Sequence, residues 1–175
     1  VADASNLKRN LLFCSQIIDL KIPVVVALTM NDLAAKKGIG IDINGLEAAL
    51  GVPVVLVNPR KNKGLLELKK VLAQYAKIPA NKTNADFIDT LKMAPKAIEQ
   101  VQHIFPAVSN YAAVHYLINH ENFPLNEQTQ HDIEQIELNN QFNPTKTQAD
   151  EIMQRYARIK QIMQKNVVEP RSEEH

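Results

Sequence analysis

With 175 residues, 45% of them hydrophobic and 22% charged, the chain carries enough apolar side chains to bury a core, so the expectation is a globular chain rather than a disordered one. Its 20 basic and 19 acidic residues leave a formal net charge of +1, so no global positive field exists to condense on nucleic acid or on an anionic membrane. Cys14 is the only cysteine, which rules out an internal disulfide and agrees with a reducing compartment.

The chain opens on Val1-Ala2-Asp3, with no methionine and no apolar signal segment, and the expectation is a piece of something longer. Ser5 is the expected N-cap of a first helix whose apolar positions Leu7, Leu11, Cys14 and Ile18 share one face. The longest apolar run, Ile22 to Leu28, falls short of the about 20 residues a membrane span needs and has the β-branched bias of a strand buried on both faces. Thr29-Met30-Asn31-Asp32 forms the loop after it. Asp42 is expected to cap a short helix containing Leu46, Ala49 and Leu50, stopped by Gly51 before a strand from Val54 to Val57. Asn58-Pro59-Arg60 is the second loop, and Leu65, Leu68, Leu72 and Tyr75 then mark one face of a further helix.

This alternation predicts right-handed crossovers and a parallel sheet of three strands, counting a stub at Val1. Three strands are few for the helices they must meet, which again suggests missing N-terminal strands. Around Pro79 the alternation stops. Beyond it the pattern is helical, with starts expected at Pro95, Pro106, Asn126 and Thr145 or Thr147, the last helix repeating through Ile152, Tyr156, Ile159 and Met163. The fold class is therefore α/β followed by all-α, a half domain joined to a small helical bundle. Residues 1–78 form the first part, 79–84 a linker, 85–168 the helical domain and 169–175 a tail.

Ligands in open α/β sheets bind outside the strands' carboxyl ends, which directs attention to the two loops. The carboxylate of Asp32 suits the N1–H and exocyclic amine of guanine, an edge that adenine lacks, although Asp equally serves as a helix cap. No catalytic residue and no metal ligand is assigned. The histidines His103, His115, His120, His131 and His175 lack ligand spacing, His115 and His120 lying about 140° apart around a helix. Lys61, Lys63, Lys69 and Lys70 read as a solvated helix start, and Tyr111, Tyr116 and Tyr156 as core.

The order Asp3-Ala4-Ser5-Asn6-Leu7-Lys8-Arg9-Asn10-Leu11, then Ile22-Pro23-Val24-Val25-Val26-Ala27-Leu28, then Gly51-Val52-Pro53-Val54-Val55, resembles the cytoplasmic region of ferrous iron transport protein B, the FeoB family. Arg155-Tyr156 with Ile159 resembles the last helix of that family's helical domain. The resemblance implies a P-loop NTPase fold, GTP or GDP as ligand, magnesium in the parent protein, and the protein's own transmembrane iron-permease domain as partner, on the cytoplasmic side of the bacterial inner membrane. It assigns Thr29, Met30, Asn31 and Asp32 to the guanine motif and Asn58, Pro59 and Arg60 to the second base loop. It also implies that nucleotide state passes through the helices, with the helical domain favouring the GDP-bound form. Two residues depart from the pattern: Thr29 replaces the usual Asn, and Pro59 lacks the backbone N–H that would face the guanine O6. The chain has no Gly-x-x-x-x-Gly-Lys-Ser/Thr, is expected to lack an Asp-x-x-Gly segment for magnesium, and alone should not hydrolyse GTP. The alternative is a degenerate GTPase-like scaffold that binds a partner protein. A ribosome-assembly type of GTPase fits less well, because the helical part is not basic.

Overall fold

The computed structural model describes residues 1–77 and 85–170; the expected linker at 79–84, His175 and most of the expected tail lie outside these. Three parallel strands, β1 (Ala2–Asp3), β2 (Val26–Thr29) and β4 (Val54–Leu56), lie in the order β1-β2-β4, pairing Ala2 with Leu28 and Val26 with Val54. The parallel α/β class expected from the sequence is thus observed. Within the continuous apolar run, alternate residues serve opposite faces. Val26, Leu28 and Val54 join a large core with α1 (Leu7–Asp19) and α3 (Ile43–Leu50), whereas Ala27, Val55 and Val57 meet Leu65, Leu68 and Val71 of α4 (Leu65–Tyr75).

Local signals explain most boundaries. Leu7, Leu11, Cys14 and Ile18 of α1 are buried as their spacing predicted. The cap differs: α1 starts after Asn6 with no side-chain capping bond, and Asp3 instead caps the preceding 3-10 turn at Ala4–Asn6 by accepting from the Ser5 N–H and hydroxyl. Asp42 accepts from Gly45 N–H to start α3, and Gly51, at φ 69°, stops it by donating to Glu47 O. Between β2 and α3 stand the six-residue helix α2 (Asn31–Lys36) and the two-residue strand β3 (Gly40–Ile41).

The helical part comprises α5 (Pro95–Ile104), α6 (Asn110–Asn119), α7 (Glu127–Asn139) and α8 (Pro144–Asn166), followed by β5 (Val167–Val168). Ala97, Ile98, Val101, Val114, Leu117 and Ile133 make its own core. Two starts move from their expected places. Ser109 rather than Pro106 caps α6, and Asn143 rather than Thr145 or Thr147 caps α8, with Pro144 in its first turn. Asn126 caps α7 as expected.

The buried face of α8 also differs, because it runs through Thr147, Glu151, Arg155, Ile159, Ile162 and Asn166, which leaves Tyr156 40% exposed and outside the core. That face packs on α1 and α3, so α8 shares the core of the α/β part. Arg155, fully buried, places Nη1 2.8 Å from Asp19 Oδ2 and 3.3 Å from Ser15 Oγ on α1, bonds Glu151 through Nε, and lies 4.6 Å from the Tyr111 ring centroid. Burial pushes the Asp19 carboxyl up, against the pull of the Phe87 N–H, which donates to it at 2.5 Å, and of Arg155.

Candidate functional site

The loops after β2 and β4 face one another across a cleft of about 470 Å³ lined by Thr29, Met30, Asp32, Leu33, Lys36, Asn58, Pro59 and Arg60. Six of the seven residues singled out in the sequence therefore meet at one place, at the carboxyl end of the sheet. The seventh, Asn31, works behind the wall: its side-chain amide donates to Leu28 O at 2.8 Å and folds the loop back onto β2. Leu33 and Lys36 were missed. Lys36 sits one turn after Asp32 on α2, so the i, i+4 spacing was the available signal.

The first wall depends on an unusual turn. Met30 adopts left-handed backbone (φ 58°, ψ 27°), which reverses the chain into α2, and leaves its side chain 42% exposed at the cleft. Asp32 is not the N-cap, which is Met30; it lies in the first turn of α2, exposed, with Oδ1 accepting from Leu33 N–H at 3.0 Å. Thr29 turns its hydroxyl the other way, donating to Ala2 O of β1 at 3.2 Å.

The second wall is closed on itself. Asn58 N–H donates to Lys63 O, Lys63 N–H returns to Asn58 O, and Asn58 Oδ1 accepts from Lys61 N–H at 3.1 Å. Pro59 takes the first position of the 3-10 turn Pro59–Lys61, where a missing N–H breaks no bond within the turn. Gly64 follows at φ 80°, and a Cβ there would stand 2.0 Å from Leu56 O, so only glycine lets the loop close onto β4.

One sequence expectation needs correction. An Asp-x-x-Gly spacing does occur, Asp42-Ile43-Asn44-Gly45, but it is the cap of α3, and Asp42 N–H is bound to Asn166 O of α8. Among the described residues the histidines lie elsewhere: His115 packs edge-on to Tyr111, with burial lowering its pKa, and His120 lies 3.4 Å from Glu137. Among the described residues no helix is long and apolar enough to cross a membrane.

Residues 1–72 match the family model described as Ferrous iron transport protein B. The Fe(2+) transporter FeoB of Leptospira biflexa is 46% identical over 74 residues, 42% of this chain and 11% of the relative. That of Escherichia coli is 44% identical over 75 residues, 43% of this chain and 10% of the relative. These alignments cover about a tenth of the relatives' length. Among solved structures, a GDP-bound variant of the S. thermophilus FeoB G-domain is 26% identical, covers 96% of this chain and 68% of its own, and superposes with a TM-score of 0.67. The cytosolic domain of L. pneumophila FeoB, 23% identical with 96% and 66% covered, has the same fold with a TM-score of 0.70. The chain is thus similar over its first 72 residues to the Ferrous iron transport protein B family, and over nearly its whole length it shares the fold of FeoB cytosolic structures.

Proposed function

We propose that this chain is the base-recognition and helical part of a guanine-nucleotide-binding regulatory region of a bacterial ferrous iron transporter, acting on the cytoplasmic side of the membrane beside the transporter's own permease domain. The observation that carries this reading is the cleft that Asp32 and Arg60 share at the carboxyl end of the sheet. Residues 1–78 belong to the GTP-binding part and 85–168 to the helical part in this reading. Asp32 accepts from the guanine N1–H and amine, Met30 and Pro59 flank the purine, and phosphates and magnesium require residues this sequence does not contain. The chain by itself therefore binds GDP weakly and does not hydrolyse GTP.

The test is a GDP titration of the chain followed by nuclear magnetic resonance, repeated with Asp32→Asn. Two charge-assisted hydrogen bonds of about 1.5–3 kcal/mol each are at stake, so GDP affinity should fall more than tenfold while xanthosine diphosphate gains. Equal GDP affinity in the two proteins would return Asp32 to a purely helical role. The second reading, a scaffold that holds a protein partner without nucleotide, is supported by the Thr29 hydroxyl, which is directed to Ala2 O rather than into the cleft.

A further inference from the structure

The wall of the cleft that carries Asp32 does not stand by its own stability. Helix α2 has six residues, well below the about 12–15 at which an isolated helix becomes even marginal in water. Ala34 anchors its middle in the main core, and its two ends are held separately. The front end is the Met30 turn. The rear end runs through Lys37 N–H to Leu33 O and Ile39 N–H to Ala34 O directly into β3, and β3 is held by the far end of the chain.

That hold is specific. Gly40 and Ile41 pair antiparallel with Val168 and Val167, the residues that follow α8 without a break. Asp42 N–H continues the ladder to Asn166 O at 2.8 Å. The Asn166 side chain, 5% exposed, reaches toward Gly45 so closely that a Cβ there would stand 2.1 Å from its Oδ1. Beyond the ribbon, the Pro170 ring covers Gly38, at the left-handed turn (φ 73°) that ends α2. Residues 166–170 thus meet Gly38, Gly40, Ile41 and Asp42, four of the six residues that connect α2 to α3.

We infer that the ribbon of Gly40–Ile41 with Val167–Val168 makes the base-binding wall and the carboxyl end of α8 one mechanical unit, so that guanine-base occupancy and docking of residues 167–170 favour each other. This rests on the base-pocket reading above. Two residues per strand make a ribbon of low intrinsic stability, which is what a reversible contact requires. A ligand that fixes Asp32 and the front of α2 also fixes the register of β3, the template on which β5 pairs. By thermodynamic reciprocity, releasing β5 must weaken the base by the same factor. The chain's exit from the helical part is thereby linked to the nucleotide through its base.

Val168 offers a clean perturbation because its side chain is 72% exposed and contributes little packing. Val168→Pro removes a backbone N–H from the ribbon, whereas Val168→Ala keeps it. In the full 175-residue chain without nucleotide, amide exchange at Lys37, Gly38 and Ile39 should accelerate at least tenfold in Val168→Pro and stay unchanged in Val168→Ala. With GDP titrated to millimolar concentration, wild type should show shifts at residues 29–33 and slower exchange at Gly40 and Asp42, whose N–H groups face β5, and Val168→Pro should bind at least threefold more weakly. Faster exchange confined to residues 40–42, with 37–39 untouched, would overturn the mechanical link. GDP binding that leaves the ribbon's exchange and the Val168→Pro affinity unchanged would overturn the coupling while sparing the base pocket. GDP that shifts no amide in residues 29–33 would overturn the base-pocket reading and the ligand's part in the coupling with it.

Discussion

Replacing Arg155 by methionine tests how the helical part is held on the sheet. The guanidinium is fully buried between Asp19 and Glu151, and its loss leaves two carboxylates inside the protein without the cation they share. Removing one partner of a buried ion pair costs about 3–5 kcal/mol, and methionine recovers part of the packing against Tyr111, so about 3 kcal/mol is expected. With an unfolding slope of about 2 kcal/mol per molar urea, the midpoint should fall by about 1.5 M. The variant should also respond differently to acid. Without Arg155 the buried Asp19 carboxyl, already pushed up by desolvation, rises further above the about 3.9 of an unfolded aspartate. Between those two values the folded state binds more protons than the unfolded one, so the variant gains stability as pH falls. Urea unfolding at pH 7.5 and pH 5 should therefore show the gap to wild type narrowing at pH 5. Asp19→Asn, which keeps an oxygen for the Phe87 N–H, should restore part of the loss when combined with Arg155→Met. A loss below about 1 kcal/mol at pH 7.5, or a gap that widens in acid, would refute the ion pair as the anchor.

Pro59→Ala supplies an N–H at the first position of the turn where none is bonded now, and should tighten GDP binding by about 0.5–1.5 kcal/mol, roughly two- to twelvefold, as read by titration; weaker binding would mean that the ring itself packs on the base. His115, whose pKa burial lowers, binds its proton more readily in the unfolded chain, so stability should fall as pH drops below about 6.5. Urea midpoints between pH 7.5 and pH 5.5 should decline less in His115→Gln than in wild type.

Strands β2 and β4 were legible because they lie in continuous apolar runs rich in β-branched residues and ending in polar ones, and both walls of the cleft follow those strands directly. The strands β3 and β5 were not legible. Two residues carry no periodicity, and Gly40 has no strand propensity, so their pairing exists only because α8 delivers Val167 to Ile41. Arg155 was placed correctly in the last helix, yet nothing in its spacing announced burial. A charged residue on an amphipathic helix normally marks the wet side, and here the partner that overrides the rule, Asp19, lies on another helix. Pro106 misled because a proline that fits a helix start fits the loop before one equally well, while the Ser109 cap went unread.

In the base-pocket reading, the loop from Asn58 to Gly64 governs how ligand preference changes over time. Its reciprocal bonds and the close approach of Gly64 to Leu56 O are made almost wholly by backbone, so its span is fixed while Pro59 and Arg60 stand exposed at the cleft. Side chains at those two places are free to vary without altering the frame, whereas an inserted or deleted residue would break the Asn58–Lys63 bridge and displace the whole wall. Divergence in ligand choice should therefore accumulate here as substitutions at constant loop length, a pattern that sequences of related chains will either display or lack.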